Sequence, residues 1–237
     1  MKRGRRNTGL LRLALLVVAG RRFWLLPFLP LLWLLFQAGV LIIGAEEGFT
    51  PASAQVALVG LPLTLLAVFL GLRIIAGEID GRSLEIAYTV PGGCERVWWA
   101  KLLASTLVLL ASETLLVAGT YIFFTPMPWS ALYGALQPAL FYLVLAMGMA
   151  TLFRSEVAGA MGVAAILGLD LLISGFGTNP VRISPFWNPA VAIDQADDAA
   201  QFLAWNLQNR IGILLAMAAI LGLAFMRANR RERMLGA

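Results

Sequence analysis

The sequence predicts an all-α integral membrane protein with six transmembrane helices and both termini in the cytoplasm, preceded by an interfacial amphipathic helix. Three observations predict it. Sixty per cent of the 237 residues are hydrophobic and only 13% are charged, about half the roughly 25% charged share of a soluble domain. The apolar residues gather into runs close to the ~20 residues that a helix needs to cross the hydrocarbon core. Sixteen of the eighteen basic residues fall at one set of alternating connections and termini, as the positive-inside rule requires of cytoplasmic segments.

Taken in order, Leu10–Gly20 is apolar but too short to span, and it lies among Arg12 and the pair Arg21-Arg22. It is read as a helix lying in the cytoplasmic interface. The run after Arg22 is too long for a signal peptide and ends in no A-x-A-like site, so no cleaved leader is expected. Six spans follow: Phe23–Ile43, Gln55–Ile75, Lys101–Phe124, Ser130–Phe153, Val157–Phe176 and Gln208–Met226. Thr114–Phe153 carries no charge and is long enough for two crossings, with Thr125-Pro126-Met127-Pro128 as the turn. Only Ile211–Met226 of the last span is free of charge, so that helix is expected to begin upstream, near Phe202. Arg182 and Arg210 are the two basic residues left on the outer side, where the external parts are Gly44–Ala54, the four-residue turn and Gly177–Leu207. The whole chain is one transmembrane domain, with residues 1–22 cytoplasmic or interfacial and residues 76–100 a cytoplasmic loop.

The same placement removes nucleic acid as a partner, because the net charge of +5 comes from basic residues at helix ends. The single cysteine, Cys94, allows no internal disulfide. With no histidine and one thiol, no zinc or copper site is expected. Nor does any nucleophile, base or metal motif suggest an intramembrane enzyme.

The loop Ala76–Ala100 reads AGEIDGRSLEIAYTVPGGCERVWWA and holds four of the thirteen acids. Asp80 is suited to cap a short helix starting at Gly81. Leu84, Ala87 and Tyr88 then share one face, with Arg82 and Glu85 on others. Pro91 and the following Gly92-Gly93 stop that helix. Arg96, Trp98, Trp99 and Lys101 are read as interfacial anchors at re-entry into the membrane.

On these residues the chain resembles the permeases of type-2 ABC exporters. In those proteins the second and third spans are joined by an acidic residue, a Gly-small-Leu-Glu group, a Pro and a Lys opening the next helix. The matching positions are Glu78, Gly81-Arg82-Ser83-Leu84-Glu85, Pro91 and Lys101. The chain departs from the pattern at Arg82 and at Gly92-Gly93-Cys94, while the resemblance extends to the basic interfacial start, the six spans and Ser184-Pro185-Phe186-Trp187-Asn188-Pro189 before the last span. The resemblance implies a half-transporter of the bacterial inner membrane, paired with a second copy or a related permease. It also implies that the loop helix seats in a separate ATPase subunit through Glu78, Asp80, Gly81, Leu84, Glu85, Tyr88 and Pro91. No G-x-x-x-x-G-K-[ST] loop is present, so ATP and magnesium would belong to that partner, and this chain would hold no catalytic residue or cofactor.

Two carboxylates fall within spans, Glu113 and Asp170. A charge there costs at least about 2.5–3.5 kcal/mol. Asp170 is expected to pair with Arg210 at similar depth, and Glu113 either lines a substrate path or locks helices together. Ala160, Ala164 and Gly168 repeat at four-residue spacing on the fifth span beside Gly159 and Gly162, a face suited to close helix contact and, by the resemblance, to a dimer seam. Trp33, Phe36 and Gln37 on the first span offer an aromatic surface with one polar group, either for an amphipathic substrate or for lipid and internal packing. The expectation is therefore an ATP-driven export permease in contact with membrane lipid. Two rivals remain. One is a mechanical or scaffolding subunit that passes ATPase motion onward without transporting. The other is a proton-coupled secondary transporter using Glu113 and Asp170, for which no inverted repeat or broken-helix pair is visible.

Overall fold

The computed structural model describes residues 13–18, 20–44, 48–81, 93–176, 183–189, 192 and 196–230, and every regular element among them is helical. Residues 13–18 form a short helical stretch. Six longer elements follow: α1 (Phe23–Ile42), α2 (Pro51–Asp80), α3 (Cys94–Phe123), α4 (Trp129–Phe153), α5 (Glu156–Phe176) and α6 (Ala199–Ala228). Five are long and apolar enough to cross a membrane: α1, α2, α3, the Leu132–Phe153 part of α4, and α6. The 21 residues of α5 make a rod of about 30 Å at 1.5 Å per residue.

Local chemistry sets the boundaries. Thr50 accepts a hydrogen bond from the Ser53 amide, Ser53 answers with its hydroxyl, and Pro51 occupies the first turn. This satisfies the free amides of a helix start, so α2 begins before Gln55. It then runs past Ile75 to Asp80, and α3 begins at Cys94 instead of Lys101. The predicted break over 76–100 therefore shrinks to 81–93. Asp198 accepts from the Gln201 amide at 2.6 Å and starts α6 at Ala199, upstream of Gln208 as expected.

The centre of the bundle is α2 against α4, with α5 and α6 packed on α4, α3 on α2, and α1 chiefly on α3 with a smaller contact on the start of α2. The most apolar stretch of α2 is 72% buried and that of α4 61%, against 17% for α1 and α6. The last two thus present apolar surface outward. A Cβ on Gly71 would overlap the Leu143 carbonyl oxygen, and one on Gly159 would lie 2.6 Å from the Ala150 Cα. Glycine at these two points lets α2 and α5 approach the α4 backbone.

Proline and tryptophan shape the α1–α2 contact. Gln55–Gly60 is wound as a π-helix, and the Leu61 amide bonds back to the Val56 carbonyl. The next amide in that register would serve Ala57, but it belongs to Pro62 and carries no proton. The Trp33 indole N–H of α1 fills the gap, donating to the Ala57 carbonyl at 2.8 Å. An orphaned carbonyl in hydrocarbon costs several kcal/mol, so this bond pins α1 to α2.

Candidate functional site

One end of the bundle, here the loop end, carries the last turn of α2, the first of α3, the α4–α5 turn and the last of α6. The segment 82–92 enters and leaves the bundle there, through Gly81 and Gly93. Its predicted coupling residues Leu84, Glu85, Tyr88 and Pro91 lie outside the described residues. What is described is the neck that holds it.

The neck is built around a buried ion pair. Lys101 Nζ lies 2.6 Å from Glu78 Oε1 and donates to the Ile74 carbonyl at 3.0 Å. The Trp98 indole N–H donates to Glu78 Oε2 at 3.0 Å. Helical spacing explains the convergence. Ile74 and Glu78 are one turn apart on α2, and Trp98 and Lys101 are one turn apart on the facing side of α3. Lys101 is 1% exposed, Trp98 0% and Glu78 6%. Both charges are thus withdrawn from solvent with their hydrogen-bonding capacity used inside, the condition under which a buried pair holds. Trp98 and Lys101 are therefore internal, and the reading of them as interfacial anchors is corrected; Trp99, 51% exposed, keeps an outward position.

A second ring of contacts extends the neck to the other helices. Asp80 is the last residue of α2, and its carboxylate accepts from the Glu156 amide at 3.1 Å. It caps the start of α5, where the exposed amides and the helix dipole favour an anion. The helix that Asp80 was expected to cap from Gly81 lies outside the described residues. Arg73 lies 3.8 Å from Glu156. At the α6 end, the Asn229 side-chain amide donates to Glu95 on α3, and the Cys94 thiol donates to Asn229 Oδ1 at 3.5 Å. Phe225 stacks on Trp98 at 6.0 Å, and Arg227 donates to the Leu152 carbonyl at 3.0 Å. Gly93 re-enters α3 at φ +82° and ψ 159°, a region open essentially to glycine alone.

The opposite end is closed by a second polar cluster. Gln137 on α4 donates to Asn209 on α6 at 2.7 Å, and Asn209 donates to the Ser184 carbonyl at 2.8 Å. Asn188 donates to the Ala52 carbonyl at 3.1 Å, and Trp187 is buried. The Ser184–Pro189 motif is thus folded back into the bundle. Gln137 and Asn209 drew no attention in the sequence, because a single amide within an apolar run looks the same whether it faces a partner or not.

Within the span, the structure separates residues that the sequence grouped. Asp170 and Arg210 form no ion pair within 4.0 Å: Asp170 accepts from the Tyr142 hydroxyl at 3.4 Å, and the Arg210 guanidinium lies 4.0 Å above the Tyr133 ring. Tyr133 and Tyr142 are nine residues apart on α4, two and a half turns, so they face opposite sides of the helix. Nine residues also span about 13 Å along the helix axis, so Asp170 and Arg210 meet α4 at different heights as well as on different sides. Glu113 is buried at 5% exposure, and its Oε1 has no hydrogen-bond partner among the described residues. Ser105, Ser112 and Thr120 lie on the same buried side of α3. Trp33 and Phe36 are neighbours at 5.5 Å, whereas Gln37 is turned inward. On α5, Gly159 meets α4, while nothing within 4 Å would meet a Cβ at Gly168, and Ala164 is exposed. Ala164 and Gly168 thus leave room beside them within the protomer, while Ala160 is half-buried. Among the described residues no three His, Cys, Asp or Glu side chains converge as metal ligands would.

No protein-family model matches the chain, and comparison with curated proteins and with solved structures returned no significant match.

Proposed function

We propose that this chain is the membrane subunit of a type-2 ABC exporter, a half-transporter of the bacterial inner membrane driven by a separate ATPase that docks on the 82–92 segment. In this reading α5 is the fifth of six spans and both termini face the cytoplasm. The observation that carries the proposal is the neck: a charged segment between two membrane helices is tied by Glu78, Lys101 and Trp98 across its base. Asp80 and Asn229 link the same base to α5 and α6. A loop so clamped cannot swing independently. A push on it must move α2 and α3 together, and through Asp80 the start of α5. That is the property a coupling element requires, and an ordinary solvated loop has no use for a desolvated ion pair at its root.

The outward surfaces support pairing. α1 and α6 are mostly unburied, and Ala164 and Gly168 on α5 leave room beside them within the protomer, which suits a second permease beside this one.

The test is to co-express the tagged chain with any P-loop ATPase that an adjacent reading frame encodes, followed by purification and reconstitution. The ATPase should co-purify. Leu84→Asp combined with Glu85→Arg should abolish that association while leaving membrane insertion intact. Retention of the ATPase and of transport by that variant would overturn the proposed docking site. If no ATPase associates with the wild-type chain, a secondary transporter becomes the better reading. The same neck would also serve a subunit that only transmits motion; substrate-dependent ATP turnover in liposomes separates that case from transport.

A further inference from the structure

Between α1 and α2 lies an apolar groove of about 320 Å³, walled by Leu26 and Trp33 on one side and by Pro62, Leu65 and Phe69 on the other. Its one polar wall group, the Trp33 indole N–H, is already bonded to the Ala57 carbonyl. The walls therefore suit a hydrocarbon chain and offer nothing to a polar ligand.

At the loop-end mouth the chemistry reverses. Arg73 sits one helical turn beyond Phe69, its guanidinium carbon 4.8 Å from the ring centroid. Arg73 Nη1 also donates to the Val18 carbonyl at 3.4 Å, which draws the segment bearing Arg21 and Arg22 into the same corner. Arg21 and Arg22 are exposed. Among the described residues the three arginines meet one acid, Glu156, at 3.8 Å from Arg73, whose side chain stays 39% exposed.

We infer that the groove and its arginine mouth form a binding site for an anionic phospholipid, one acyl chain lying between α1 and α2 and the phosphate among Arg21, Arg22 and Arg73. Charge decides between lipid and a second copy of the chain as the occupant. The described acids at this end are engaged inside the protomer: Glu78 with Lys101, Asp80 with the Glu156 amide, Glu95 with Asn229. Among the described residues a second copy would bring apolar surface to the groove but no unengaged carboxylate to its mouth, whereas an anionic phospholipid supplies both an acyl chain and a phosphate. Guanidinium groups hold phosphate through paired N–H donors, and basic clusters at the membrane surface select anionic lipid. A chain wedged here would brace the little-buried α1 against the core. The site stands independently of the proposed ATPase coupling.

The test reads Trp33. The full-length protein is placed in phosphatidylcholine nanodiscs containing a minor fraction of mid-chain-brominated phosphatidylglycerol or brominated phosphatidylcholine. The Trp33 signal is isolated by difference from Trp33→Phe. Brominated phosphatidylglycerol should quench it at several-fold lower mole fraction than brominated phosphatidylcholine. Arg21→Gln with Arg22→Gln, both exposed and remote from the core, should erode that preference by about fivefold per arginine. Native mass spectrometry of the same proteins should show phosphatidylglycerol retained by the wild type and lost from the double variant. Equal quenching by the two lipids would reduce the groove to ordinary annular contact and overturn the inference. Absence of quenching by either, with a dimer in the mass spectrum, would assign the groove to a second copy.

Discussion

Lys101 brings an ammonium group to a position 1% exposed, and only Glu78 and the Ile74 carbonyl make that tolerable. Removing one member of a buried pair strands the other, at about 3–5 kcal/mol, whereas replacing both with apolar groups of similar volume is often neutral. Lys101→Met should therefore destabilise by that amount, and Glu78→Leu with Lys101→Met should recover most of it. Cys94 is the one thiol, buried at the neck, so a thiol-reactive dye during a thermal ramp reports opening of this very region. A single variant as stable as wild type would remove the pair from the account of the neck. If an ATPase docks on the 82–92 segment as proposed, the double variant should be stable but with weakened coupling, since the pair's role would then be rigidity and not net stability. Gly93 offers a second test. At φ +82° and ψ 159° any side chain adds strain of order 1–3 kcal/mol, so Gly93→Val should lower the dye-reported midpoint, and a neutral result would mean that the re-entry has relaxed. At this scale the sequence was legible in composition but not in direction. Glu78 and Lys101 were both visible, yet a lysine beside two tryptophans reads as an interfacial anchor when the helix is taken to start there. Because α3 starts at Cys94, Lys101 lies two turns inside. Asp170 and Arg210 failed for a related reason: counting residues from the helix ends does not say which side of α4 each faces or which tyrosine it meets.

Helix packing gives sharper contrasts between residues of one type. Gly71 lies against the Leu143 carbonyl, a backbone atom that cannot rotate away, whereas Gly168 has open space around it. Gly71→Ala should cost about 3 kcal/mol or more, the upper range of overpacking, and should lower the yield of folded protein by size-exclusion chromatography. Gly168→Leu should leave the folded protomer unchanged; if the small face of α5 is a dimer seam, it should dissociate the dimer in native mass spectrometry. Wild-type behaviour of Gly71→Ala would show that α2 and α4 can part at that point. The π turn provides a coupled pair. Trp33→Phe leaves the Ala57 carbonyl without its donor, a loss of about 1–3 kcal/mol. Pro62→Ala returns a backbone amide to the register and should make the tryptophan dispensable. A double-mutant cycle without coupling between the two would disprove the argument. The spans themselves were readable because hydrophobic length and charge-free runs are additive properties of sequence. Their ends were not: the Thr50–Ser53 capping box is local but puts Ser where the usual pattern has Glu or Gln, and the Asp80–Glu156 cap joins residues 76 apart, which a linear reading does not place together.

Across the whole molecule, hydrogen bonds and charge concentrate at the two ends: the neck at one, and Gln137, Asn209 and Ser184 at the other. Between them the described polar side chains are few, and the core is α2 against α4. This division follows from the bilayer, which supplies no water to a polar group in its middle, and it is why the candidate site could be located from the sequence even where its contacts could not. Sidedness rests on a separate argument: with six crossings, sixteen of the eighteen basic residues would share the side of the neck, as the positive-inside rule expects of cytoplasmic segments. Six crossings require α5 to span, and one experiment tests both points. In a Cys94→Ala background, Pro126→Cys lies in the α3–α4 turn and Ala200→Cys at the start of α6, both exposed. Gly81→Cys and Arg230→Cys lie exposed at the loop end. A membrane-impermeant maleimide applied to intact cells should label Pro126→Cys and Ala200→Cys, and should reach Gly81→Cys and Arg230→Cys only after permeabilisation. The comparison of Pro126→Cys with Ala200→Cys is the decisive one. Two crossings separate them if both α4 and α5 span, so they must react from the same side. If α5 lay within one leaflet, a single crossing would separate them, and only one would be labelled in intact cells. Labelling of Gly81→Cys and Arg230→Cys in intact cells, with Pro126→Cys and Ala200→Cys reached only after permeabilisation, would keep the six crossings but place the neck outside the cytoplasm, where no ATP-driven partner could reach it.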